Sequence, residues 1–199
     1  HPMLEAHMGY FLLGSTSPDV RAITKGRREQ YHFAPLNFEA VGDGVRGLFE
    51  ANPHLQATSN GHGPTRAFVA GYITHLVLDE VWITQMYRPY FGNPQVFQND
   101  TQGNVMDRAL QLELDRRSQK GVARVAPQLE QVTGPVDVGF IDAATLTDWH
   151  RWVSGFVVRE FTWDRLGHMA RRIAGGDDAH PAHGLADDFL RAMPASLER

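Results

Sequence analysis

Cysteine is absent from all 199 residues, which excludes disulfides, iron–sulfur clusters, Cys-based zinc fingers and a Cys nucleophile. Any metal must be held by His, Asp, Glu, backbone oxygen or solvent. An excess of one charge is lacking too. Lys and Arg total 19 against 23 Asp and Glu, a formal net charge of −4, so no bulk field draws the chain to nucleic acid or an anionic membrane. The doublets Arg116-Arg117 and Arg171-Arg172 are isolated and make no nucleic-acid footprint. Apolar stretches such as Gly9 to Gly14 and Leu76 to Leu78 fall far short of the roughly 20 residues that a membrane span needs. No basic segment followed by an apolar one opens the chain, so the reading is a cytoplasmic protein without a secretory leader. Its first residue is His1, which points to processing or to residues upstream.

Alternation with period two, the mark of a half-buried strand, is also missing. What is present is helical periodicity. From Thr65 to Tyr87, Phe68, Tyr72, Ile73, Leu76, Val77, Val81 and Trp82 recur at spacings of three and four, between Pro64 and Pro89. This predicts a long, largely buried helix. A second is expected over Asn104 to Lys120, with Arg116, Arg117 and Lys120 in its last turns, where the helix dipole favours cations. Others are expected over Ala143 to Phe161, Trp163 to Ala174 before Gly175-Gly176, and Gly184 to Met193 before Pro194. Shorter ones are expected over Met3 to Leu13, Phe38 to Ala51 and Val122 to Val132. Thr58 to Pro64, Gly92 to Gly103, Thr133 to Gly139 and Gly175 to Gly184 read as loops. With 42% hydrophobic and 21% charged residues and no composition break, residues 1–199 are expected to form a single all-α domain, a multi-helix bundle.

The sharpest chemical feature is His75-Leu-Val-Leu-Asp79 within the long helix. Side chains four apart on a helix point the same way, so an imidazole nitrogen and a carboxylate oxygen can converge on one ion. The competing reading is a His–Asp hydrogen bond, or an exposed Asp79 beside a His75 bound to a core carbonyl. Gly71, one turn earlier, costs about 1 kcal/mol relative to Ala in a helix interior and so marks close approach of another segment, either a ligand-bearing loop or an ordinary helix. Upstream, Gly14-Ser-Thr-Ser-Pro18-Asp19 suits a rigid loop presenting a carboxylate, or equally a helix N-cap. In Tyr31-His32-Phe33 the imidazole is placed for partial burial, as a ligand or a satisfied core residue.

Taken together, Asp19 after Gly-x-x-x-Pro, His32-Phe33 thirteen residues on, and Gly71-Tyr72-x-x-His75-x-x-x-Asp79 resemble the bacterial zinc-dependent phospholipase C family across residues 9 to 90. The order and spacing of the three pieces carry the resemblance. It implies the all-α fold shared by phospholipase C and single-strand nucleases, with Asp19, His32, His75 and Asp79 as metal ligands. Such a set suits zinc, as one or two ions, and would accept manganese or iron(II). The activity implied is hydrolysis of a phosphate ester, a small phosphoester or a phospholipid head group, by metal-activated water, with Asp19 as general base.

Several positions depart from the family pattern. Gln85 stands where trinuclear members place a His, and Asp107-x-x-x-Gln111 where they place His-x-x-x-Glu. No Thr-His or Ser-His precedes Asp19, and His7 is too close to it, so the resemblance implies that the family's opening helix is missing. These departures leave a second expectation open, a non-catalytic member whose metal is structural or binds a phosphorylated ligand. A third is a helical interaction module without metal. Asp177-Asp-Ala-His180-Pro-Ala-His183 reads as a solvated loop rather than a metal site, and His54, His62, His150 and His168 as structural or exposed. Trp149, Trp152 and Phe156 read as a core stripe rather than a lipid-facing surface.

Overall fold

The periodicity around His75 folds into one long helix, Gly63–Trp82, in a computed structural model that describes residues 1–56 and 63–193. Among those residues every regular element is helical, so the fold is all-α. The α-helices, in chain order, are α1 (Pro2–Ala6), α2 (Met8–Thr16), α3 (Arg21–Thr24), α4 (Glu29–His32), α5 (Asp43–Ala51), α6 (Gly63–Trp82), α7 (Asp100–Val125), α8 (Ala143–Val157), α9 (Arg165–Ala174) and α10 (Ala182–Ala192). No helix among the described residues is long and apolar enough to cross a membrane. The chain divides into two compact units, His1–Trp82 with Val122–Arg159, and Ile83–Gly121 with the described residues from Glu160 onward.

In the first unit, two glycines fix the crossing of α2 and α6. A Cβ on Gly71 would lie 2.0 Å from the Phe11 carbonyl oxygen, and one on Gly14 would lie 2.0 Å from that of Phe68. The helices therefore meet at backbone contact, and any side chain at either position would hold them apart. The segment that Gly71 admits is both a helix and the stem of the loop bearing Asp19. Around this crossing Leu13, Leu48, Phe68, Tyr72, Leu76, Val138, Trp149 and Val153 form a buried core. Trp149 belongs to it, whereas Trp152 is exposed and stacks between Trp149 and Phe156.

Several element boundaries differ from expectation. The helix expected over Met3 to Leu13 breaks at His7, whose φ of −132° and ψ of 36° separate α1 from α2. The helix expected from Phe38 starts at Asp43, after Gly42 turns the chain with a φ of +103°. Over Val122 to Val132, Pro127 ends α7 and a 3₁₀ turn, Ala126–Gln131, follows it. α8 starts where expected, capped by the Asp142 carboxylate, which accepts from the Thr145 N–H at 2.8 Å. It ends at Val157, before Phe161. The expected loop at Thr58 to Pro64, with His62, lies outside the described residues up to position 62, and Gly63 and Pro64 already belong to α6. Pro194 also lies outside them.

In the second unit, Pro89 does not stop the helical path as expected. Ile83–Phe91 is π-helical with Pro89 inside it, and the Gly92 N–H reaches the Tyr87 carbonyl at 2.7 Å. The longer i→i−5 reach relieves the crowding a proline ring causes four residues back. α7 begins at Asp100, four residues before the expected start, and α10 at Ala182. α9 closes as expected at Gly175 and Gly176, with φ of +61° and +94°. The core of this unit is Val105, Ala109, Leu112, Leu166, Ala170, Ala182 and Ala186.

Candidate metal centre

Three of the four residues singled out as ligands come together in the first unit. Asp19, His32 and His75 each offer one ligand atom, and these atoms all lie within 4.8 Å of one another. They arrive from three separate segments. Asp19 sits in the 3₁₀ turn Ser17–Val20 that follows α2. The N-cap alternative for Asp19 is not realised: neither that turn nor α3 has a side-chain cap. The hydroxyls of Ser15, Thr16 and Ser17 instead bond back to the carbonyls of Leu12 and Leu13. His32 is the last residue of α4, which ends because Phe33 takes a left-handed conformation with a φ of +57°. For a bulky residue that conformation costs roughly 1–2 kcal/mol. Edge-to-face packing of the Phe33 ring on Phe140, at 5.1 Å between centroids, opposes that cost.

His75 is oriented from behind. Its Nδ1 lies 2.9 Å from the Ser15 carbonyl oxygen, which can only accept, so Nδ1 carries the proton and Nε2 keeps its lone pair. Metal-binding histidines are held by this kind of outer contact. Ser15 is in position because α2 crosses α6 at Gly14 and Gly71.

His32 is 4% exposed, and its Nδ1 is buried without a hydrogen-bond partner. Burial first, then the positive field of Arg28 and interaction with His75, and lastly Arg21, push its pKa down to about 3 against the opposing pull of Asp19. The ring is therefore uncharged at neutral pH, as a ligand must be. The rings of His32 and His75 meet edge to face at 5.4 Å, and His32 Nε2 lies 4.0 Å from Asp19 Oδ1. Two ligands on a tetrahedral zinc stand about 3.4 Å apart, so closing this set takes a movement of about 1 Å. Asp19, with 61% of its side chain exposed, is the member free to make it. Two imidazoles and a carboxylate, one ring oriented by a carbonyl and the other buried with a nitrogen unpartnered, suit a divalent cation.

Asp79 is not in this group. It shares a helix face with His75, but its carboxylate receives the Arg28 guanidinium, with side chains 30% and 11% exposed respectively. Arg28 stands one turn before His32, at the N-cap of α4. Sequence reasoning missed it, although a signal existed: a carboxylate among Leu76, Val77 and Leu78 needs a counter-charge. Glu80 was missed as well. Its carboxylate is 3% exposed and accepts from the backbone N–H groups of Gly42 at 2.5 Å and Gly44 at 2.6 Å. This clamps the start of α5 to α6. A Cβ on Gly44 would lie 2.6 Å from the His32 carbonyl oxygen, so the same glycine lets α5 approach the end of α4 that carries His32. Arg28, His32, Ala34, Phe38, Leu76, Asp79 and Glu80 line one small cleft.

The positions that depart from the family pattern lie in the second unit. Gln85 is exposed in the π-helical segment. Asp107 is 2% exposed and accepts from Gln111 Nε2 at 2.9 Å, with Arg108 3.7 Å away. Of the remaining histidines, His150 faces the Leu129 carbonyl at 2.8 Å and His183 that of Asp177 at 3.2 Å, while His180 accepts from the Ala182 N–H. Among the described residues, no other group of three such donors converges as Asp19, His32 and His75 do. No family model, curated protein or solved structure matches the chain.

Proposed function

We propose that this chain is a metal-dependent hydrolase of phosphate esters, similar in kind to zinc-dependent phospholipase C, with Asp19, His32 and His75 as the metal ligands. The observation that carries the reading is the convergence of three donors from three segments within 4.8 Å. Zinc is the cation best suited to two imidazoles and a carboxylate, ahead of manganese or iron(II). Such an ion supplies Lewis acidity toward a phosphoryl oxygen and lowers the pKa of water. His75 presents Nε2 because Ser15 holds its Nδ1 proton. His32 stays neutral because it is buried beside Arg28. Asp19, the exposed member, is the group able to accept a proton from an attacking water at the mouth of the site. The substrate in this reading is a small phosphoester or a phospholipid head group.

A second reading, metal-dependent binding of a phosphorylated ligand without turnover, is favoured by the pairing of Asp79 with Arg28, which leaves three donors rather than four. Hydrolysis of a chromogenic phosphodiester by zinc-loaded protein, with and without chelator and in His75→Ala, separates the two. The hydrolase reading expects turnover that chelator and His75→Ala both abolish. Background rates in metal-loaded wild type would contradict it and leave the binding reading.

A further inference from the structure

Arg28 has capacity that its partner does not use. Among the described residues its guanidinium has one hydrogen-bond partner, Asp79, reached through Nη2. A guanidinium carries five N–H donors in a rigid fork. The others are neither bonded to a described residue nor sealed from solvent, since the sealed and unpartnered side-chain atoms are His32 Nδ1 and Ser154 Oγ. The side chain is nonetheless 11% exposed, and it lines the same cleft as His32 and Asp79. It is thus a largely buried cation, pinned at one corner, whose remaining donors are open to water or to a ligand.

We propose that Arg28 is the anion-binding arm of this site and donates to the nonbridging oxygens of a phosphoryl group, while Asp79 holds the guanidinium in position. The inference rests on the reading of Asp19, His32 and His75 as the metal ligands of a phosphoester site. A fork of parallel N–H groups matches two phosphoryl oxygens, and such charge-assisted bonds are about twice as strong as neutral ones. Holding the fork in place beforehand removes much of the ordering cost of binding. Asp79 is suited to that positioning role because it sits one turn past His75 on the same face of α6. Arg28 and Arg21 are the two cations that act on His32, and of the cleft's carboxylates Asp79 is engaged by Arg28 and Glu80 by the N–H groups of Gly42 and Gly44. A surface arginine in an ordinary ion pair would share neither the burial nor the cleft.

The test is calorimetric titration of the full chain with phenylphosphonate, a soluble phosphoryl anion that is not hydrolysed, in zinc-loaded and metal-free protein, with metal content measured for each variant. Arg28→Gln is expected to weaken binding at least about 10-fold, and Arg28→Lys, which keeps the charge without the fork, several-fold. Asp79→Asn, which leaves the guanidinium but removes the group that positions it, is expected to weaken binding about threefold to fivefold, less than Arg28→Gln. Equal affinity in wild type and Arg28→Gln, an equal loss in Asp79→Asn, or no binding by wild type in either state would overturn the proposal. Should Arg28→Gln fail to fold, Arg28→Lys carries the test, and wild-type affinity there overturns it. If wild type takes up no zinc, the metal reading fails separately, and the same ranking is then required of the metal-free proteins.

Discussion

His75 and Ser15 are joined across two helices, with Nδ1 of the imidazole 2.9 Å from the Ser15 carbonyl oxygen, and this contact sets the tautomer of the candidate site. It depends on the backbone contact of α2 with α6 at Gly14 and Gly71. The packing of two helices thereby decides which nitrogen of a histidine is free.

Gly71→Ala places a methyl 2.0 Å from the Phe11 carbonyl, a backbone atom that cannot rotate away. The helices must separate, which costs about 2 kcal/mol or more and moves Ser15 off His75. Urea unfolding should show the loss of stability, and metal titration a weaker site. A variant as stable as wild type would mean that the crossing is looser than described.

His75→Asn keeps an N–H where Nδ1 stands but removes the Nε2 lone pair. Stability is expected within about 1 kcal/mol of wild type, because the bond to Ser15 is replaced in kind. Metal affinity is expected to fall at least about 100-fold, as befits loss of a direct ligand rather than of its support. Parallel melting and zinc-competition measurements check both halves.

Glu80→Gln weakens two charge-assisted hydrogen bonds to Gly42 and Gly44 and points an amide N–H₂ at donors. The expected cost is about 2–3 kcal/mol in a denaturant melt, with α5 loosened first. Hydrogen exchange over Asp43–Ala51 should speed up more than over Ala143–Val157.

The metal-free protein should be acid-sensitive because of His32. Its folded pKa of about 3 lies below the ordinary value of 6.5, so between these limits the unfolded chain binds a proton that the fold does not. This contribution to stability is complete above pH 6.5 and is lost as the pH falls towards 3. At pH 4.5 the loss amounts to about 3 kcal/mol. Melts in chelator across this range should steepen for wild type and flatten for His32→Asn.

Much of the site was legible in the sequence. Asp19, His32 and His75 are marked by Gly-x-x-x-Pro, by the aromatic neighbours of His32 and by the helical register of Gly71 and His75. The fate of Asp79 was not legible, because the register puts its carboxylate on the face of His75 without saying which cation arrives there. Arg28 reads locally as one of a charged run, Arg27-Arg28-Glu29, and its burial follows from the packing of α4 against α6. Glu80 bonds to backbone 36 to 38 residues away, and backbone donors carry no residue signature. Helix ends set by Pro127 and Gly175 follow local rules. The π-helical passage through Pro89 does not, since a proline ordinarily ends a helix.

Asp19, His32 and His75 are proposed to hold a divalent cation. The most direct measurement is metal content after zinc reconstitution and desalting, in wild type, Asp19→Asn and Asp79→Asn. About one equivalent is expected in wild type, a loss of most of it in Asp19→Asn, and near-normal content in Asp79→Asn, whose carboxylate is engaged by Arg28. Less than about a tenth of an equivalent in wild type, or a loss confined to Asp79→Asn, would contradict it.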